Sequence, residues 1–265
     1  MWDELAATYD ESFSDRLPGQ WLRSIVQRRI IGLLPYQARI LEVGCGTGED
    51  AIHLAKLGHS IVATDISEEM LQRTRQKLAE ASPEVHDRVR IEALDAADPD
   101  AAGLSGESDL DLVFSNFGAL NCVADLRPFL DYSNDRLSPG GYLVLTMMGR
   151  FCAWETLGFA MRGDFRRATR RWSGKNRFSV RGVEQCVWYP TVGAIKRTGS
   201  ANFRPVAVYG IGALLPNSEF FNVCERWPRI FHRLSIVENA IAGWWPVNRL
   251  GDHFLMVLRK RAPRQ

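Results

Sequence analysis

The sequence predicts a doubly wound α/β fold, and two observations carry the prediction. Over residues 38–150, short and continuously apolar runs alternate with segments of helical periodicity. Strands that are apolar throughout are typical of parallel sheets covered by helices on both faces. A glycine-rich turn, residues 44–48, directly follows the first of these runs. Because α/β sheets bind ligands beyond the carboxyl ends of their strands, we expect a ligand at this turn.

The elements of this core follow in order from their residues. Residues 19–34 place apolar groups at helical spacing, and Arg39–Val43 is a short β-rich run. A helix is predicted to begin near Gly48 and to end at Gly58, and Ser67 is a predicted N-cap for the next helix. The other predicted core elements are strands over 60–64, 88–94, 111–115 and 142–148, a helix over 124–138, and a turn over 138–141.

The second half of the chain is less regular. Its predicted elements are helix over 151–172, strand-like alternation over 177–189, a helix over 190–199, a strand over 205–212, aromatic-rich helices over 217–245, and a last strand over 253–258.

Composition sets outer bounds on function. The chain has 265 residues, 46% hydrophobic and 24% charged, with a net charge of +2, which is typical of a soluble globular protein and predicts no polyanionic partner for the chain as a whole. Its five cysteines include no Cys-x-x-Cys pair, which indicates free thiols in a reducing compartment and no metal site. With no secretory signal and no apolar run of membrane-spanning length visible, the sequence predicts a cytoplasmic protein.

The glycine turn has the wrong spacing and charge for a dinucleotide. The dinucleotide fingerprint needs its third glycine at the position that Glu49 occupies here. Glu42, Glu49 and Asp50 crowd the turn and would repel a pyrophosphate. A ligand with an ammonium and a sulfonium group would be tolerated, and the following helix N-terminus could receive its single carboxylate.

Two further carboxylates end predicted strands. Asp65 ends the second strand, where it can accept hydrogen bonds from both hydroxyls of a ribose and would reject a phosphate. Asp95 ends the third strand, where it can accept a hydrogen bond from an adenine amino group.

Five motifs now stand in order: ILEVGCGTGED, ATDIS, ALDAAD, DLVFSNFG and LSPGGYLVLTMM. In this order and spacing the chain resembles the class I S-adenosylmethionine-dependent methyltransferases over residues 38–150. The resemblance implies a Rossmann-like, seven-stranded, mostly parallel sheet with an antiparallel last strand, and S-adenosyl-L-methionine as cofactor. It divides the chain into an N-terminal helical lid (1–37), a cofactor-binding core (38–150) and a substrate-side half (151–265) with a helical cap insertion (217–245).

The resemblance also implies roles for residues on the methionine side of the cofactor. Glu42 and the turn backbone would hold the methionine moiety; the turn residues are Gly44, Cys45, Gly46 and Gly48. Ser115 and Asn116 would line the methyl-donor side, and Tyr9 would sit near the donor carboxylate. The competing interpretations are that the glycines only shape a turn, that Cys45 is a small filler and that Tyr9 is a packed aromatic.

On the adenosine side, the resemblance assigns Asp65 to the ribose, Ile66 and Met70 to the two faces of the adenine, and Asp95 with the Ala96 N–H to its edge. Asp65 as a helix cap and Met70 as plain core are the alternatives.

Methyl transfer from a sulfonium needs in-line placement first and a general base only where the nucleophile carries a proton. Topology makes His253, at the start of the last strand, the best candidate base, although a histidine there can equally be an ordinary hydrogen-bonded group. Asn116 is the second candidate at the reacting atoms. The fourth-strand run Ser-Asn-Phe-Gly lacks the Pro-Pro-aromatic sequence typical of DNA and protein-amide methylating members, which argues against adenine or glutamine acceptors.

Two segments bear on the acceptor. Residues 162–177 hold seven basic side chains and Trp172, which could bind RNA, an anionic substrate or a membrane surface, or could be a solvated face. Residues 217–245 are rich in aromatic side chains that could roof the cleft over a small hydrophobic acceptor such as a natural product, isoprenoid or lipid. The leading prediction is therefore a small-molecule methyltransferase, with nucleic acid disfavoured, peripheral membrane contact open, and a non-catalytic sensor or scaffold as the remaining alternative.

Overall fold

The computed structural model describes residues 2–101, 107–180 and 183–262. The strands in these ranges are β1 (Arg39–Val43), β2 (Ser60–Asp65), β3 (Val89–Ala93), β4 (Leu110–Ser115), β5 (Leu137–Met148), β6 (Lys175–Val180), β7 (Val183–Trp188), β8 (Phe203–Ile211) and β9 (His253–Lys260). Seven of them form one sheet in the order β3-β2-β1-β4-β5-β9-β8, and β6 and β7 pair as a separate antiparallel hairpin. Within the sheet, β9 runs antiparallel to both neighbours while the other pairs are parallel, which confirms the predicted fold class.

Helices cover both faces of the sheet. The α-helices are α1 (Trp2–Ala6), α2 (Leu17–Ile31), α3 (Glu49–Lys56), α4 (Glu68–Ala79), α5 (Pro83–His86), α6 (Arg127–Arg136), α7 (Ala153–Ala160), α8 (Phe165–Ala168), α9 (Val192–Thr198), α10 (Phe221–Arg226), α11 (Pro228–Ile241) and α12 (Val247–Leu250). A π-helical turn spans Asp10–Ser14, and 3₁₀ turns span Ala119–Cys122 and Ser218–Phe220.

The two faces of the sheet explain the continuously apolar strands. Ile40 and Leu41 are neighbours in β1 and both are buried, but they pack into different hydrophobic clusters. Val144 and Leu145 divide in the same way in β5. Because successive strand side chains point to opposite faces, a strand covered on both sides needs apolar residues at every position.

Two local predictions were wrong. Residues 138–141, predicted as a turn, continue β5, with a register shift opposite Leu110 and Leu112 that absorbs their irregular sequence. The predicted helix over 151–172 is broken into α7 and α8 because Gly163, at φ 74°, lies in the left-handed region and ends the first helix. The predicted N-cap is confirmed, since Ser67 Oγ accepts a hydrogen bond from Met70 N.

Candidate functional site

A cavity of about 320 Å³ opens where β1, β2 and β4 end. Its lining combines the N-terminal segment, the glycine turn, the residues after β2, β3 and β4, and the β6–β7 hairpin. Of the predicted site residues, the structure brings nine to its surface: Tyr9, Gly44, Gly46, Asp65, Ile66, Met70, Asp95, Ala96 and Asn116. A smaller extension of about 20 Å³ shares part of this wall and adds Glu42 and Cys45.

The glycine turn is shaped by conformation and by close packing. Gly44 and Gly46 have φ values of 77° and 56°, in the region that side chains rarely adopt. A Cβ on Gly44 would lie 2.2 Å from the Ala119 Cβ, so a larger residue would push the turn away from the 119–122 segment. Gly46 instead faces the cavity, where a Cβ would meet only the Tyr9 ring at 4.0 Å. The turn therefore presents bare backbone to a ligand.

Asp65 organises the turn as well as lining the cavity. Its Oδ2 accepts a hydrogen bond from Gly46 N at 2.9 Å, and its Oδ1 accepts one from Ser67 N at 3.0 Å. Burial raises the pKa of this carboxyl, although the backbone donors oppose the shift. Each oxygen keeps a second lone pair, so the carboxylate can still accept two ligand hydroxyls.

Glu42 is a fully buried acid at the inner end of the site. Its Oε2 has no hydrogen-bond partner among the described residues. Burial, with a contribution from Asp50, raises the pKa of Glu42 well above its usual value. Arg23 and the Ala51 N–H offset only part of the cost of burying this charge, and a cationic ligand in the adjoining space would stabilise the ionised form further.

Asn116 is held rigidly at the cavity surface. Its Nδ2 donates to Asp50 Oδ2 at 3.0 Å, and its Oδ1 accepts from Thr146 Oγ1 at 2.9 Å. Asp50 also accepts from Arg23 Nη1 at 2.7 Å and Gln27 Nε2 at 2.8 Å. The N-terminal helix α2 and the end of β4 are thus joined through one buried carboxylate, which fixes the rotamer of Asn116.

The part of the cavity predicted to hold the adenosine is lined by two apolar side chains and one carboxylate. Ile66 is exposed and Met70 is buried, and both line the cavity together with Asp95 and Ala96. Asp95 Oδ1 accepts a hydrogen bond from Ala97 N at 2.8 Å, which holds the carboxylate beside the Ala96 backbone.

The N-terminal segment is fastened across the cavity. Asp10 accepts hydrogen bonds from Thr47 Oγ1 and pairs with Lys77 Nζ, both at 2.7 Å, and Lys77 also bridges to Glu49 at 2.6 Å. Near the start of the N-terminal segment, Asp3 accepts a hydrogen bond from Ser67 Oγ. These contacts place Trp2 and Tyr9 on the cavity wall. Burial raises the pKa of the Tyr9 phenol, which stays protonated as a hydrogen-bond donor.

Three predicted residues lie outside the cavity wall. Gly48 packs against Thr74, and Ser115 is buried within the sheet. His253, expected at the cleft, lies behind Phe117, whose ring it meets edge-on with centroids 5.6 Å apart. Its Nδ1 is 3.1 Å from Asp252 Oδ2, at ion-pair distance but outside hydrogen-bond geometry. His253 is therefore placed to support Phe117 rather than to touch a ligand.

Sequence reasoning missed nine lining residues, and four of them, Trp2, Phe117, Cys122 and Gln185, have side chains that bear on ligand binding. Phe117 has φ 49°, a strained conformation for a bulky residue and one that points to a functional site. The only sequence signal for it was the following Gly118. Gln185 reaches the cavity from β7, and nothing in the sequence indicated that this hairpin folds back over the core.

The insertion over 217–245 does not lie as predicted, and the basic segment over 162–177 is partly paired within the protein. No described residue of 217–245 lines the cavity, and Trp244 and Trp245 are exposed elsewhere, so this insertion does not roof it. Much of the basic charge of 162–177 is engaged internally. Arg170 and Arg171 both bind Glu155, Arg171 also binds Asp252 at 2.7 Å, and Arg167 pairs with Glu219.

Comparison with known proteins is consistent with this geometry. A family model described as a methyltransferase domain matches residues 41–143. The tRNA 5-carboxymethoxyuridine methyltransferase of Escherichia coli (strain K12) is 31% identical over 147 residues, and the demethylmenaquinone methyltransferase of Clavibacter sepedonicus is 33% identical over 147 residues. These stretches cover 54% and 55% of this chain, and the same shares of the two relatives. The chain thus spans about half the length of these curated relatives.

A solved structure agrees over a longer stretch. The putative S-adenosylmethionine-dependent methyltransferase from Listeria monocytogenes superposes with a TM-score of 0.60 at 17% identity, covering 91% of this chain and 100% of that one. At 17% identity, this structural similarity shows a shared fold. With the ordered motifs, the sheet order and the family match over residues 41–143, it supports the predicted resemblance and S-adenosyl-L-methionine as the cofactor. Residues 41–143 thus match a methyltransferase domain, and the motifs and fold of the chain are those expected from its resemblance to the class I S-adenosylmethionine-dependent methyltransferases.

Proposed function

We propose that this protein is an enzyme that transfers the methyl group of S-adenosyl-L-methionine to a small, fairly hydrophobic acceptor. One observation carries the cofactor half of the proposal. Among the described residues that line the main cavity, the charged side chains are the carboxylates Asp65 and Asp95, and none is basic. Such a wall favours a cationic nucleoside and disfavours a pyrophosphate.

The proposed contacts follow from the lining. Asp65 would accept the ribose hydroxyls, Ile66 and Met70 would hold the adenine faces, and Asp95 with the Ala96 N–H would bind its edge. The methionine moiety would lie along the backbone of the glycine turn toward Glu42, with Tyr9 closing that end. The cofactor supplies an activated methyl group; the chain positions it and excludes water.

The acceptor half rests on the wall around Phe117. Phe117, Cys122 and Val123 contribute apolar lining to the cavity, and Gln185 contributes a side-chain amide. An apolar wall with one uncharged amide fits a mainly hydrophobic acceptor with one hydrogen-bonding group. The internal pairing of Arg167, Arg170 and Arg171 weakens the case for RNA, although the relative from E. coli carries a tRNA activity in its name.

In-line transfer requires the acceptor nucleophile about 3 Å from the methyl carbon, and well-oriented placement contributes about 7–11 kcal/mol to lowering the barrier. Asn116, whose rotamer is fixed, is positioned to orient the donor or the nucleophile. His253 remains a candidate base only if Phe117 moves, since the phenyl ring separates it from the cavity.

Calorimetry and product identification test the proposal in order. The protein should bind S-adenosylmethionine and S-adenosylhomocysteine, and should bind NADH far more weakly. Incubation with a labelled methyl donor and a cell extract should then label an organic-soluble small molecule identified by mass. Labelled RNA, with binding that falls steeply with salt, would assign a polyanionic acceptor instead. Tight cofactor binding with no labelled product in any fraction would favour the sensor or scaffold alternative.

A further inference from the structure

Helix α7 buries a charged side chain and exposes apolar ones, which is the reverse of an ordinary surface helix. Its buried side chains include the carboxylate of Glu155, which receives Arg170 and Arg171. Its exposed face carries Leu157, which is 62% exposed, and one turn later Met161, at the end of the helix, which is 82% exposed. Residues four apart lie on one helix face, so the two side chains form one apolar strip. An apolar strip in water is unfavourable unless something covers it.

Further large apolar side chains flank this strip. A tight turn joins α7 to α8, and Phe165, on the far side of that turn, is 69% exposed. Phe151, which precedes α7, and Trp172, which follows α8, are also exposed, and their rings lie 6.2 Å apart. Together these five residues, Phe151, Leu157, Met161, Phe165 and Trp172, are called the α7–α8 surface.

The charges beside this surface are of one sign. Arg162, Arg166, Lys175 and Arg177 are exposed. The acids within residues 151–177 are Glu155, which is buried in its ion pairs, and Asp164, which caps α8. Nearby Glu219 is engaged by Arg167 and Arg170, which offsets its charge. Exposed apolar side chains interspersed with cations, and with the nearby exposed acid already paired, are complementary to an anionic lipid surface.

We propose that the α7–α8 surface docks the protein on a bilayer containing anionic lipids. The apolar side chains would enter the interfacial region while Arg162, Arg166, Lys175 and Arg177 contact lipid phosphates. Because α7 follows the carboxyl end of β5, this surface lies at the edge of the sheet that carries the cavity. The proposal does not depend on which acceptor is methylated.

Vesicle co-sedimentation of the full chain tests it. The protein should pellet with vesicles of equal parts phosphatidylcholine and phosphatidylglycerol, and far less with phosphatidylcholine alone. The double variant Leu157→Ser/Met161→Ser should weaken binding to the mixed vesicles by at least about tenfold, because each side chain loses most of its interfacial burial. Arg166→Glu should weaken it by a similar factor.

Matched controls lie at the opposite edge of the sheet. Leu57, which is 48% exposed, follows α3 and precedes β2, and Arg28 is exposed near the end of α2. Leu57→Ser and Arg28→Glu should leave vesicle binding unchanged. All four variants should keep the thermal unfolding temperature and the cofactor affinity of the parent, since the altered side chains are exposed.

Three results would overturn the proposal. The first is failure to pellet with the mixed vesicles. The second is loss of binding with Arg166→Glu while the Leu157→Ser/Met161→Ser variant binds normally, which would indicate a soluble polyanion such as RNA. The third is a dimer in solution that dissociates in the Leu157→Ser/Met161→Ser variant, which would mean that a second copy of the chain covers the strip.

Discussion

At the residue scale, two acids of the site differ in what they already bind. Asp65 has backbone partners on both oxygens, whereas Glu42 Oε2 has none among the described residues. Sequence analysis predicted Asp65 as a ribose residue from its position at a strand end, and the family resemblance implied Glu42 as a residue for the methionine moiety. The difference between them depends on backbone amides that only the folded turn brings together.

Replacing Asp65 should weaken cofactor binding, and it should also loosen the turn because only one of the two backbone donors keeps its acceptor. In Asp65→Asn one oxygen can still accept from Gly46 N, but the negative charge toward the ribose is gone. Charge-assisted hydrogen bonds contribute about 1.5–3 kcal/mol, so the cofactor Kd should rise about 10- to 100-fold. Calorimetry measures this, with exposed Asp98→Asn as control. An unchanged Kd would remove Asp65 from the ribose site.

Glu42→Gln should weaken cofactor binding and stabilise the free protein. The folded-state pKa of Glu42 lies above its unfolded value. As pH rises between those two values, the unfolded chain releases its proton first, so this group lowers stability at neutral pH. Removing the charge should raise the unfolding temperature of the free protein by a few degrees at neutral pH, and by less in acid.

The same carboxylate predicts a pH dependence of binding. A cationic ligand prefers ionised Glu42, so affinity should increase as pH rises through the raised pKa, and Glu42→Gln should flatten that dependence. Parallel pH profiles for the two proteins would contradict the assignment of Glu42 to the positive part of the cofactor.

At the element scale, the hairpin of β6 and β7 depends on one buried amide. Asn121 Nδ2 donates to Trp188 O at 2.6 Å and to Met148 O at 3.0 Å, and its Oδ1 accepts from Met148 N at 2.9 Å. This side chain joins β5 to the hairpin that brings Gln185 to the cavity.

Asn121→Ala should loosen the hairpin. It leaves buried backbone groups unpaired, which costs about 1–3 kcal/mol and should lower the unfolding temperature by several degrees. Cofactor affinity should change little, because the donor-side residues do not belong to the hairpin. Asn202→Ala, which removes one surface bond to Asp131, is the control. A large loss of cofactor affinity would mean that the hairpin braces the donor side as well.

A second element contact is the ion-pair cluster that anchors the 165–172 segment. Arg171→Met leaves Glu155 and Asp252 buried without their shared cation and should cost about 3–5 kcal/mol. Arg167→Met breaks a more exposed pair with Glu219 and should cost about 0–1 kcal/mol. Denaturant unfolding of the two variants compares them directly, and equal losses would show that the buried cluster is not a stabilising anchor.

The acid side of this cluster has a matching titration. Burial opposes ionisation of Asp252, but the charges of His253 and Arg171 outweigh it and hold the pKa of Asp252 below its usual value. The stability that ionised Asp252 contributes through these charges is therefore present at neutral pH and is lost only in strong acid.

Most of the elements were predictable from the sequence, and the reasons for the misses are physical. Strands β1 to β5 follow from apolar runs, and the Ser67 cap from local chemistry. The partners of Arg170 and Arg171 are as distant in sequence as Asp252, so the sequence alone did not indicate that these basic side chains are paired. The exposure of Phe117 at the cavity depends on a left-handed backbone that its side chain does not favour, and no pattern predicts that.

At the scale of the whole molecule, ligand binding should register as stability. None of the described helices has both the length and the apolar character needed to cross a membrane. Thermal unfolding with added ligand measures this stabilisation. At about 100 times Kd, S-adenosylhomocysteine should add about 2.7 kcal/mol, which corresponds to a rise of several degrees. An equal rise with NADH would contradict the phosphate-free cofactor proposed for the cavity.

The hydrogen bond from Thr47 and the ion pair with Lys77 that hold Asp10 bear on which step limits the rate of the proposed reaction. If Trp2 and Tyr9, which lie on the cavity wall, cover the bound donor, spent donor leaves only after these bonds break and the segment moves aside. The proposed acceptor side, near Gln185, lies outside these contacts. Turnover would then be paced by donor exchange, and two unrelated acceptors could reach the same maximal rate.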